Sequence, residues 1–317
     1  MSYRIGSFNT LRMDFTSTEK RAINFDMIAQ IIKSAHLDIV ALQEVLNENV
    51  IKDKLIPALG HDWKYTCKES GKFYSKTKEM FVFLWNSQRL DLIKEDAEGN
   101  FVNKFEIKNN LLDGAIVRPP YVARFTPNGK FGGAFFEIRL INVHIVYGKP
   151  QAGISVFSSD RDIRMQELNI IAKQIYPRVA DKRYGTNMPA YTFILGDYNL
   201  VLQGPGEKMD NPIIIGDNRL LKTVQKEKST IKSKEEDLVL FDEIKKYIRA
   251  QLGLPDTWDY YSKNYDHFSY ETTYEDKMKL TVSRSNALKH YYHNDIESYR
   301  KEIFDHIPII MDISLMK

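Results

Sequence analysis

The chain has little of several features that would narrow its class at once. Cysteine occurs once in 317 residues, at Cys67, so no intrachain disulfide can form and nothing points to a zinc site built from thiolates. No apolar run approaches the roughly 20 residues that a membrane-spanning helix needs. The first apolar segment contains Arg4 and Asn9, unlike a signal peptide, so we expect a cytoplasmic protein. The formal net charge is only +3, which excludes a strong overall field for polyanions but is compatible with a local basic groove.

Two kinds of hydrophobic pattern alternate along the chain. Apolar runs typical of strands occur at residues 3–10, 37–45, 79–86, 120–126, 135–143 and 191–200. Apolar residues at helical spacing occur at residues 22–35, 162–176 and 236–252. Strands that alternate with helices indicate a layered α/β fold. The sequence shows no internal repeat and no long polar linker, so we expect residues 1–317 to form one domain.

The stretch at residues 191–200, YTFILGDYNL, joins a buried strand to a polar turn. Four apolar or β-branched residues lead into a glycine, which is followed by Asp197 and, two residues later, by Asn199. Asp and Asn oxygens are ligands that Mg²⁺ prefers, and the end of a strand holds them rigidly. Taken alone, however, the same residues are also ordinary turn chemistry.

Polar residues stand at or beside the ends of most of the predicted strands. They are the carboxamides, carboxylates and imidazoles of Asn9, Glu44, His144, Asp197, Asn199, Asp305 and His306. If these strands lie side by side, their ends converge on one rim. Oxygen ligands and imidazoles without cysteine suit Mg²⁺ or Mn²⁺ better than structural zinc. Such a rim is equipped to cut a phosphate ester with an activated water.

Two Asp-His pairs occur in the last third of the chain. Asp266 and His267 lie in a short aromatic segment, whereas Asp305 and His306 directly precede the closing apolar strand. An Asp-His pair can bind a metal ion, shuttle a proton or hold a phosphate by charge. Either pair is equally compatible with a surface turn, so the pairs decide nothing by themselves.

The segment at residues 221–234 is rich in lysine. Against the single acid Glu227 stand Lys222, Lys226, Lys228, Lys232 and Lys234. A run of this kind can follow a nucleic-acid backbone. A solvated and mobile surface segment is the simpler interpretation, because lysine-rich faces commonly serve solubility.

Six motifs together resemble the ordered set of the endonuclease/exonuclease/phosphatase superfamily. They are SFNT around Asn9, LQEV around Glu44, NVHIVYG around His144, GDYN at Asp197 and Asn199, YDHF at Asp266, and DHIPI at Asp305 and His306. They spread from residue 7 to residue 309 and so cover nearly the whole chain. The resemblance implies a four-layer α/β sandwich of two mainly antiparallel sheets flanked by helices, with the site at one sheet edge.

Within the superfamily, the deoxyribonuclease I-like branch is the most similar. The run KEMFVFLW at residues 78–85 resembles its Lys-Glu strand, and Arg118 resembles its phosphate-contacting arginine. The resemblance implies that Glu79 orients His144 and that Asp266 orients His306, which gives two carboxylate-paired imidazoles facing one phosphate. A carboxylate partner fixes the tautomer and stabilises the imidazolium.

The implied mechanism is in-line attack of water on phosphorus with the help of a divalent cation. Glu44, helped by Asn9 and Asp305, would hold Mg²⁺, for which Mn²⁺ is a possible substitute. Asp197 and Asn199 would position the water or a second cation. Arg118 and Asn199 would bind the substrate phosphate together with His144 and His306. Either imidazole is a candidate for base, acid or phosphate clamp.

Several positions depart from the family pattern. Phe304 replaces the serine that is common before the final Asp-His pair, and Leu46 replaces an arginine of deoxyribonuclease I. His144 stands where abasic-site endonucleases usually carry tyrosine, which argues against a dedicated repair enzyme. The disulfides of the secreted enzymes are absent. Residues 204–256 have no counterpart in the compact secreted nucleases, so we expect an insertion around them that sets substrate choice.

Three functions follow as alternatives, and the first is the one that we expect. It is a metal-dependent endonuclease that cuts DNA, or RNA, so the expected partner is a nucleic acid. The second is a phosphoesterase acting on a phospholipid or inositol phosphate, although the tryptophan-containing GD-N motif and the WCDR-type signature of inositol 5-phosphatases are missing. The third is a binding module on a decayed site, which is disfavoured because every expected catalytic position is filled.

Overall fold

The structure is a computed structural model. It describes residues 2–15, 22–70, 79–94, 116, 118–131, 135–145, 160–184, 188–202, 212–224, 227–231, 251–252 and 260–316. The helix predicted at residues 236–252 lies outside the described residues except for its last two positions. Among the helices that the structure describes, none combines the length and the apolar character needed to cross a bilayer.

The strands form two mixed sheets. The smaller sheet has the order β12-β13-β1-β2-β4-β3, and the larger has the order β5-β6-β7-β8-β11-β10-β9. The strands of the smaller sheet are β1 (Ser2–Met13), β2 (Ile39–Val45), β3 (Trp63–Glu69), β4 (Met80–Asn86), β12 (Met278–Arg284) and β13 (Ile309–Leu315). Those of the larger are β5 (Leu90–Leu92), β6 (Tyr121–Pro127), β7 (Glu137–His144), β8 (Ala190–Asp197), β9 (Ile213–Gly216), β10 (Arg219–Val224) and β11 (Asp266–Glu271). Each sheet contains one parallel pair, β1 with β2 and β7 with β8, and all other pairs are antiparallel.

Helices cover the outer face of each sheet. The described helices are α1 (Phe25–Ser34), α2 (Glu48–Val50), α3 (Ile56–Leu59), α4 (Asp160–Ile170), α5 (Tyr176–Ala180), α6 (Ala287–Tyr292) and α7 (Ile296–Glu302). A π-helical turn, Ile51–Leu55, joins α2 to α3, and a second, Ile171–Ile175, joins α4 to α5. Asn24 caps α1 by accepting a hydrogen bond from the backbone N–H of Met27 at 3.0 Å, which satisfies one of the unpaired donors of the first turn.

Three hydrophobic clusters separate four layers. Along β2 the side chains alternate: Val40 and Leu42 pack against the helices α1 to α3, whereas Ile39 and Ala41 face the larger sheet. The third cluster packs α4 and α5 on the outer face of the larger sheet, where Ile194 is fully buried. Burying a large aliphatic side chain completely stabilises the fold by about 1.5–3 kcal/mol. The predicted four-layer α/β sandwich is therefore confirmed.

A polar contact joins the two sheets next to the rim that the motifs predict. Gln43 Nε2 donates to Asn142 Oδ1 at 2.7 Å, and Asn142 Nδ2 donates to the backbone carbonyl of Leu42 at 3.0 Å. Both amide side chains are fully buried between the sheets. Because such groups are costly to bury unless they are paired, this contact fixes the register of one sheet against the other.

The described part of residues 204–256 is built into the fold. The strands β9 and β10 belong to the larger sheet, so these residues are not all outside the sandwich. In the lysine-rich segment, Lys222 pairs with Glu275 at 2.7 Å, and Ser229 and Ile231 are buried. Backbone pairing holds the described part of this segment, since β10 pairs with β9 and β11 and residues 229–231 bond to the backbone of residues 263 and 305, while Lys228 is exposed as the surface interpretation expects. That residues 1–317 form one domain, with an insertion around 204–256, stays a prediction.

Candidate active site

Three neighbouring strands of the larger sheet bring polar side chains into one row. His144 ends β7 and pairs in register with Asp197 at the end of the parallel strand β8. Asp266, which begins the antiparallel strand β11, pairs with Asp197 from the other side. All three side chains are buried. The period of the strands and their register are thus sufficient to place an imidazole and two carboxylates at one edge.

Gly196 allows β7 and β8 to approach at this point. Its φ is +143°, and a Cβ atom there would lie 1.9 Å from the backbone oxygen of Val143. Any side chain would therefore push the two strands apart immediately before Asp197. The glycine of the GDYN motif is required by the close approach of the strands and not only by the turn.

Asn9 and Glu44 lie where the ladders of the smaller sheet are interrupted. The register between β1 and β2 shifts after Asn9, and the register between β2 and β4 shifts after Leu42. Glu44 has a φ of +60°, and Leu11 and Arg12 are also left-handed. Bulges and left-handed non-glycine residues are costly and cluster at functional sites, where they redirect side chains.

The redirected side chains connect the two sheets. Asn9 Nδ2 donates to Glu44 Oε1 at 3.0 Å and to Asp197 Oδ2 at 2.9 Å. Its Oδ1 accepts a hydrogen bond from the backbone N–H of Leu11 at 3.0 Å. In this arrangement Asn9 bridges two carboxylates as a donor, and its amide oxygen is engaged by the backbone.

His306 is held by Asp266 on one side and faces Asp197 on the other. His306 Nδ1 lies 2.7 Å from Asp266 Oδ2, and His306 Nε2 lies 3.7 Å from Asp197 Oδ2. Burial opposes the charged imidazole, but the negative charges of Asp266, Asp197 and Asp305 outweigh it and raise the pKa of His306 well above its usual value. This geometry favours an imidazolium at neutral pH.

Asp197 is the carboxylate on which the contacts converge. Its Oδ1 accepts the backbone N–H of Asn199 at 2.7 Å, while its Oδ2 accepts Asn9 Nδ2. Burial, reinforced by the charge of Asp266, raises the pKa of Asp197 against the opposing effect of the imidazoles. Asn199 is left-handed, with φ +49°, and its Nδ2 donates to the backbone carbonyl of Ile145 at 2.8 Å. The turn therefore fixes both side chains of the GDYN motif.

A second imidazole is paired more loosely. His144 Nδ1 lies 3.3 Å from Glu79 Oε2, and His144 Nε2 lies 3.5 Å from Glu44 Oε1. Arg118 shares the same carboxylate, with its Nε 2.9 Å from Glu79 Oε2. Burial raises the pKa of Glu79, but His144 and Arg118 outweigh burial and lower it overall. Glu79 is thus a carboxylate shared between an imidazole and a guanidinium.

The comparisons with solved structures agree with this architecture. ANGEL2, described as a 2′,3′-cyclic phosphatase in complex with adenosine-2′,3′-vanadate, is 15% identical with a TM-score of 0.55, over 99% of this chain and 96% of that chain. A truncated Caenorhabditis elegans TDP2 is 14% identical with a TM-score of 0.50, over 99% and 98%. An endonuclease/exonuclease/phosphatase family protein from Bacteroides thetaiotaomicron is 14% identical with a TM-score of 0.50, over 100% and 98%. The chain has the fold of the endonuclease/exonuclease/phosphatase superfamily. No protein-family model and no curated protein sequence matches the chain.

The likeness confirms the motif-based resemblance at the level of the fold. At 14–15% identity it identifies the endonuclease/exonuclease/phosphatase fold and does not assign a substrate. The roles of the individual residues therefore rest on the geometry of the site.

The site offers donors that suit a divalent cation. Ligand atoms of Asp197, Asp266 and His306 all lie within 4.8 Å of one another, a spacing that a metal ion can accept. Asp305 Oδ1 and Asp266 Oδ1 are buried without a hydrogen-bond partner among the described residues. Unpaired buried carboxylate oxygens are costly unless a cation satisfies them. The donor chemistry therefore fits a hard metal ion, although the structure does not single out Mg²⁺.

Asp305 is connected to this network less directly than the other predicted residues. Its Oδ2 lies 4.0 Å from Arg300 Nη2, and its backbone carbonyl accepts the N–H of Ile231 at 2.7 Å. The remaining predicted site residues are linked by direct contacts: Asn9, Glu44, Glu79, Arg118, His144, Asp197, Asn199, Asp266 and His306.

His267 does not face the site, although its neighbour Asp266 does. Its Nε2 lies 2.8 Å from the backbone carbonyl of Leu200, and its ring packs on Tyr198 at a centroid distance of 5.1 Å. Full burial lowers the pKa of His267 to about 4. The period of two along a strand places adjacent side chains on opposite faces, so only one member of this Asp-His pair belongs to the site.

Ser229 is a site residue that the sequence did not indicate. Its Oγ donates to Asp266 Oδ2 at 2.5 Å, the same oxygen that His306 contacts, and it is fully buried. The hydroxyl thus fixes the carboxylate that holds His306. The segment around Ser229 has no hydrophobic period, so no sequence pattern marked this position.

Proposed function

We propose that this chain is a divalent-metal-dependent phosphodiesterase, and specifically an endonuclease that hydrolyses DNA by in-line attack of water. The observation that carries the proposal is the convergence of two carboxylate-paired imidazoles on one buried carboxylate. His306 is paired with Asp266 and His144 with Glu79, and Asp266 and His144 stand on either side of Asp197 in the row of strand ends. Such a pair of imidazoles can hold a phosphate and move a proton at the same centre.

The cation that we propose is Mg²⁺, with Mn²⁺ as a possible substitute. Glu44 and Asp305 would hold it, since Asp305 has an unsatisfied buried oxygen and Glu44 is turned into the site by its left-handed backbone. Asn9 Oδ1 accepts the backbone N–H of Leu11, so Asn9 could bind the cation through this oxygen only if its amide turned away from Leu11. In its present orientation Asn9 aligns the carboxylates of Glu44 and Asp197. A bound cation supplies charge stabilisation to the phosphate oxygens and the leaving group. Of the three clustered donors Asp197, Asp266 and His306, His306 would contribute least, because a metal needs the neutral imidazole and the neighbouring acids favour the charged one.

The charge of each remaining side chain indicates its role in proton transfer or phosphate binding. Asp197, whose pKa is raised by burial, is suited to orient a water and accept its proton. His306, whose pKa is raised by its acidic neighbours, is suited to donate a hydrogen bond to a phosphate oxygen. In this proposal, Asn199, His144 and Arg118 would bind the other phosphate oxygens. Positioned acid or base groups typically contribute about 10²- to 10⁴-fold each.

The nucleic-acid substrate has support from the structural likeness as well as from the motifs. ANGEL2 is described as a 2′,3′-cyclic phosphatase and was solved in complex with adenosine-2′,3′-vanadate, so a protein of this fold binds an adenosine derivative. Glu79 contacts both Arg118 and His144, and the second of these contacts is the one that the resemblance to deoxyribonuclease I implies. We therefore favour DNA over a phospholipid or inositol phosphate as the substrate.

The test is a substrate panel of supercoiled plasmid, linear DNA, RNA and phospholipid, each assayed with Mg²⁺ or Mn²⁺. We expect nicking of the plasmid with either cation and none with a chelator. Asp197→Ala should lose nearly all activity, whereas the exposed acid Asp53 provides a matched control in Asp53→Asn. Intact plasmid together with rapid hydrolysis of a phosphoinositide or sphingomyelin would replace the nuclease with a lipid phosphoesterase.

A further inference from the structure

Residues 227–231 form a strap that connects the two segments carrying Asp266 and His306. On one side, the backbone N–H of Ser229 donates to the carbonyl of Lys263, three residues before Asp266, at 2.7 Å. On the other side, the residue directly after His306 donates its backbone N–H to the carbonyl of Ser229 at 2.8 Å. The strap therefore bridges both members of the Asp266–His306 pair through their own backbone segments.

The position of the strap decides where the hydroxyl of Ser229 lies. Ser229 Oγ donates to Asp266 Oδ2 at 2.5 Å, and the backbone N–H of Asp266 in turn lies 3.3 Å from the same hydroxyl oxygen. Hydrogen bonds need heavy-atom distances near 3 Å, so a displacement of the strap by about 1 Å would break both contacts. Whatever holds the strap therefore also holds the carboxylate of Asp266.

Arg284, at the end of β12, clamps the strap next to Ser229. Its Nη1 donates to the backbone carbonyl of Lys228 at 2.5 Å, and its guanidinium carbon lies 3.4 Å from the centre of the Tyr261 ring. Lys228 Nζ lies 3.5 Å from the carbonyl oxygen of Tyr261, so this lysine takes part in the same set of contacts. Stacking on the ring and the bond to the carbonyl fix the planar guanidinium in one orientation.

The clamp is anchored in the smaller sheet, whose strand β13 follows His306. Arg284 pairs in register with Ile309 of β13, and the N–H of Ser285 donates to the carbonyl of Pro308 at 2.9 Å. Arg284 thus holds the strap against the smaller sheet, whereas the backbone bonds of the strap also hold it against the segment that leads into β11 of the larger sheet. The strap spans the two sheets, so its position depends on both attachments.

The surroundings of Arg284 suit a clamp better than a group that meets the substrate. Its side chain is only 15% exposed, and its Nη2 lies 3.5 Å from Glu227 Oε2 in addition to the contacts with the ring and the carbonyl. These partners belong to the strap and to the segment opposite it. Arg284 therefore acts on the site through the strap.

We propose that Arg284 is a positioning residue of the active site, which clamps the strap so that Ser229 keeps Asp266 in place beside His306. The inference rests on the proposed phosphodiesterase function, and it concerns a residue outside the motifs of the family. It also gives the strap, which lies within the predicted insertion around residues 204–256, a part in building the catalytic centre.

The experiment is a double-mutant cycle of Arg284→Gln and Ser229→Ala. In Arg284→Gln we expect kcat for plasmid nicking to fall about three- to tenfold while KM changes less than about twofold, because substrate contacts remain. In the Ser229→Ala background the same substitution should cost less than about twofold, because both act through one hydrogen bond. The matched control is Arg219→Gln, which removes an arginine paired with Glu271 at the opposite end of β11 and should leave kcat unchanged.

Two further variants separate geometry from charge. Arg284→Lys keeps the positive charge but loses the planar guanidinium, so its kcat should resemble that of Arg284→Gln. Tyr261→Leu removes the ring from the other side of the contact and should lower kcat in the same way. Full activity in Arg284→Lys would assign the effect to charge alone and would overturn the clamp, as would losses that simply multiply in the double variant.

Hydrogen exchange tests the clamp without any catalytic assay. In Arg284→Gln the amides of Ser229 and Ile307 should exchange about tenfold faster, because the strap opens more readily. The amide of Ile145, which donates to the carbonyl of Asp197 at 2.9 Å, is the control within the same site. Unchanged exchange at the strap, or equally faster exchange at Ile145, would overturn the clamp. If the unaltered protein hydrolyses no phosphodiester, the proposed function fails separately, and the exchange rates still decide whether Arg284 holds the strap.

Discussion

The two carboxylate–imidazole pairs of the site differ in how strongly each imidazole is held. His306 lies 2.7 Å from Asp266, whose same oxygen also accepts the hydroxyl of Ser229. His144 lies 3.3 Å from Glu79, and Glu79 also pairs with Arg118. One carboxylate therefore serves a single cation, whereas the other is shared between an imidazole and a guanidinium.

The two pairs therefore suit different chemical roles. The acids around His306 raise its pKa, so it serves best as a fixed positive charge or acid. Glu79 already has a permanent cationic partner in Arg118, and its lowered pKa follows from both partners. The distance from Glu79 to His144 is longer than that from Asp266 to His306, and the other ring nitrogen of His144 faces Glu44. His144 is thus better placed to exchange contacts as a phosphate enters.

Removing each imidazole tests this asymmetry most directly. We expect His306→Ala to lower kcat for plasmid nicking about 10³- to 10⁴-fold, and His144→Ala to lower it about 10²-fold. The reason is that no cation among the described residues contacts the same atom of Asp266 as His306 does, while Arg118 shares Glu79 with His144 and remains when His144 is removed. Initial rates at saturating Mg²⁺ measure both. Equal losses would remove the distinction, and full activity in His306→Ala would invalidate the site.

Neutralising Asp266 or Glu79 shows whether each carboxylate acts on its imidazole through its charge or only by orienting it. In Asp266→Asn the pKa of His306 should fall, since the closest stabilising charge is lost. If activity needs the imidazolium, kcat/KM falls as pH rises through the pKa of His306, which gives the pH profile an alkaline limb. In Asp266→Asn this limb should lie at lower pH than in the unaltered protein, and above it kcat/KM should be about 10²-fold lower. Glu79→Gln should leave the alkaline limb in place. The pH dependence of kcat/KM is the measurement.

An alkaline limb that does not move in Asp266→Asn would contradict the charge role of this pair. In that case Asp266 would act only by orientation. The unaltered limb expected in Glu79→Gln serves as the control, because that variant also removes one negative charge from the site.

Ser229→Ala should have a smaller effect of the same kind. Its hydroxyl fixes Asp266 at 2.5 Å, and loss of a hydrogen bond to a charged group costs about 1.5–3 kcal/mol, or roughly ten- to hundredfold in rate if all of it acts on the reaction. In Ser229→Ala we expect kcat to fall about tenfold and the alkaline limb of the pH profile to move slightly to lower pH. Ser229→Thr should restore both, since it keeps the hydroxyl. A change in thermal stability without any change in the pH profile would limit Ser229 to a structural role.

The fold and most of the predicted site follow from local pattern. The β-branched runs that end at Asp197 and His144 specify strands, and strands of one sheet bring their ends to one edge. The helix predicted at residues 162–176 was close to α4 and its continuation, because apolar spacing defines the buried face. The motifs then predict which strand ends carry the chemistry.

The rest depended on tertiary contacts that no local pattern encodes. Glu44 adopts a left-handed backbone at an interruption between strands, a conformation that its residue type does not favour. Ser229 reaches Asp266 only because Lys263 and Ile307 pair with its backbone. The separation of His267 from Asp266, in contrast, follows from strand periodicity and was available from the sequence.

His267 and His306 provide the last and smallest contrast, because His267→Gln should leave activity at neutral pH almost unchanged. Burial lowers the pKa of His267 to about 4, so the folded protein keeps it neutral. Below the unfolded pKa of about 6.5 the unfolded chain binds a proton that the folded chain does not, so stability falls from about pH 6.5 to about pH 4. The loss amounts to about 3 kcal/mol and should be absent in His267→Gln, whose amide can still donate to Leu200. Urea unfolding across this pH window measures the loss of stability, with the exposed His290→Gln as control.

The pKa shift of His306 has the opposite sign, so its stabilisation is present at low pH and is lost as pH rises through its folded pKa. An acid loss of stability that persists in His267→Gln would therefore have to come from other groups, such as the buried Glu137 that pairs with Arg124 and Arg139, and His267 would no longer explain the acid response.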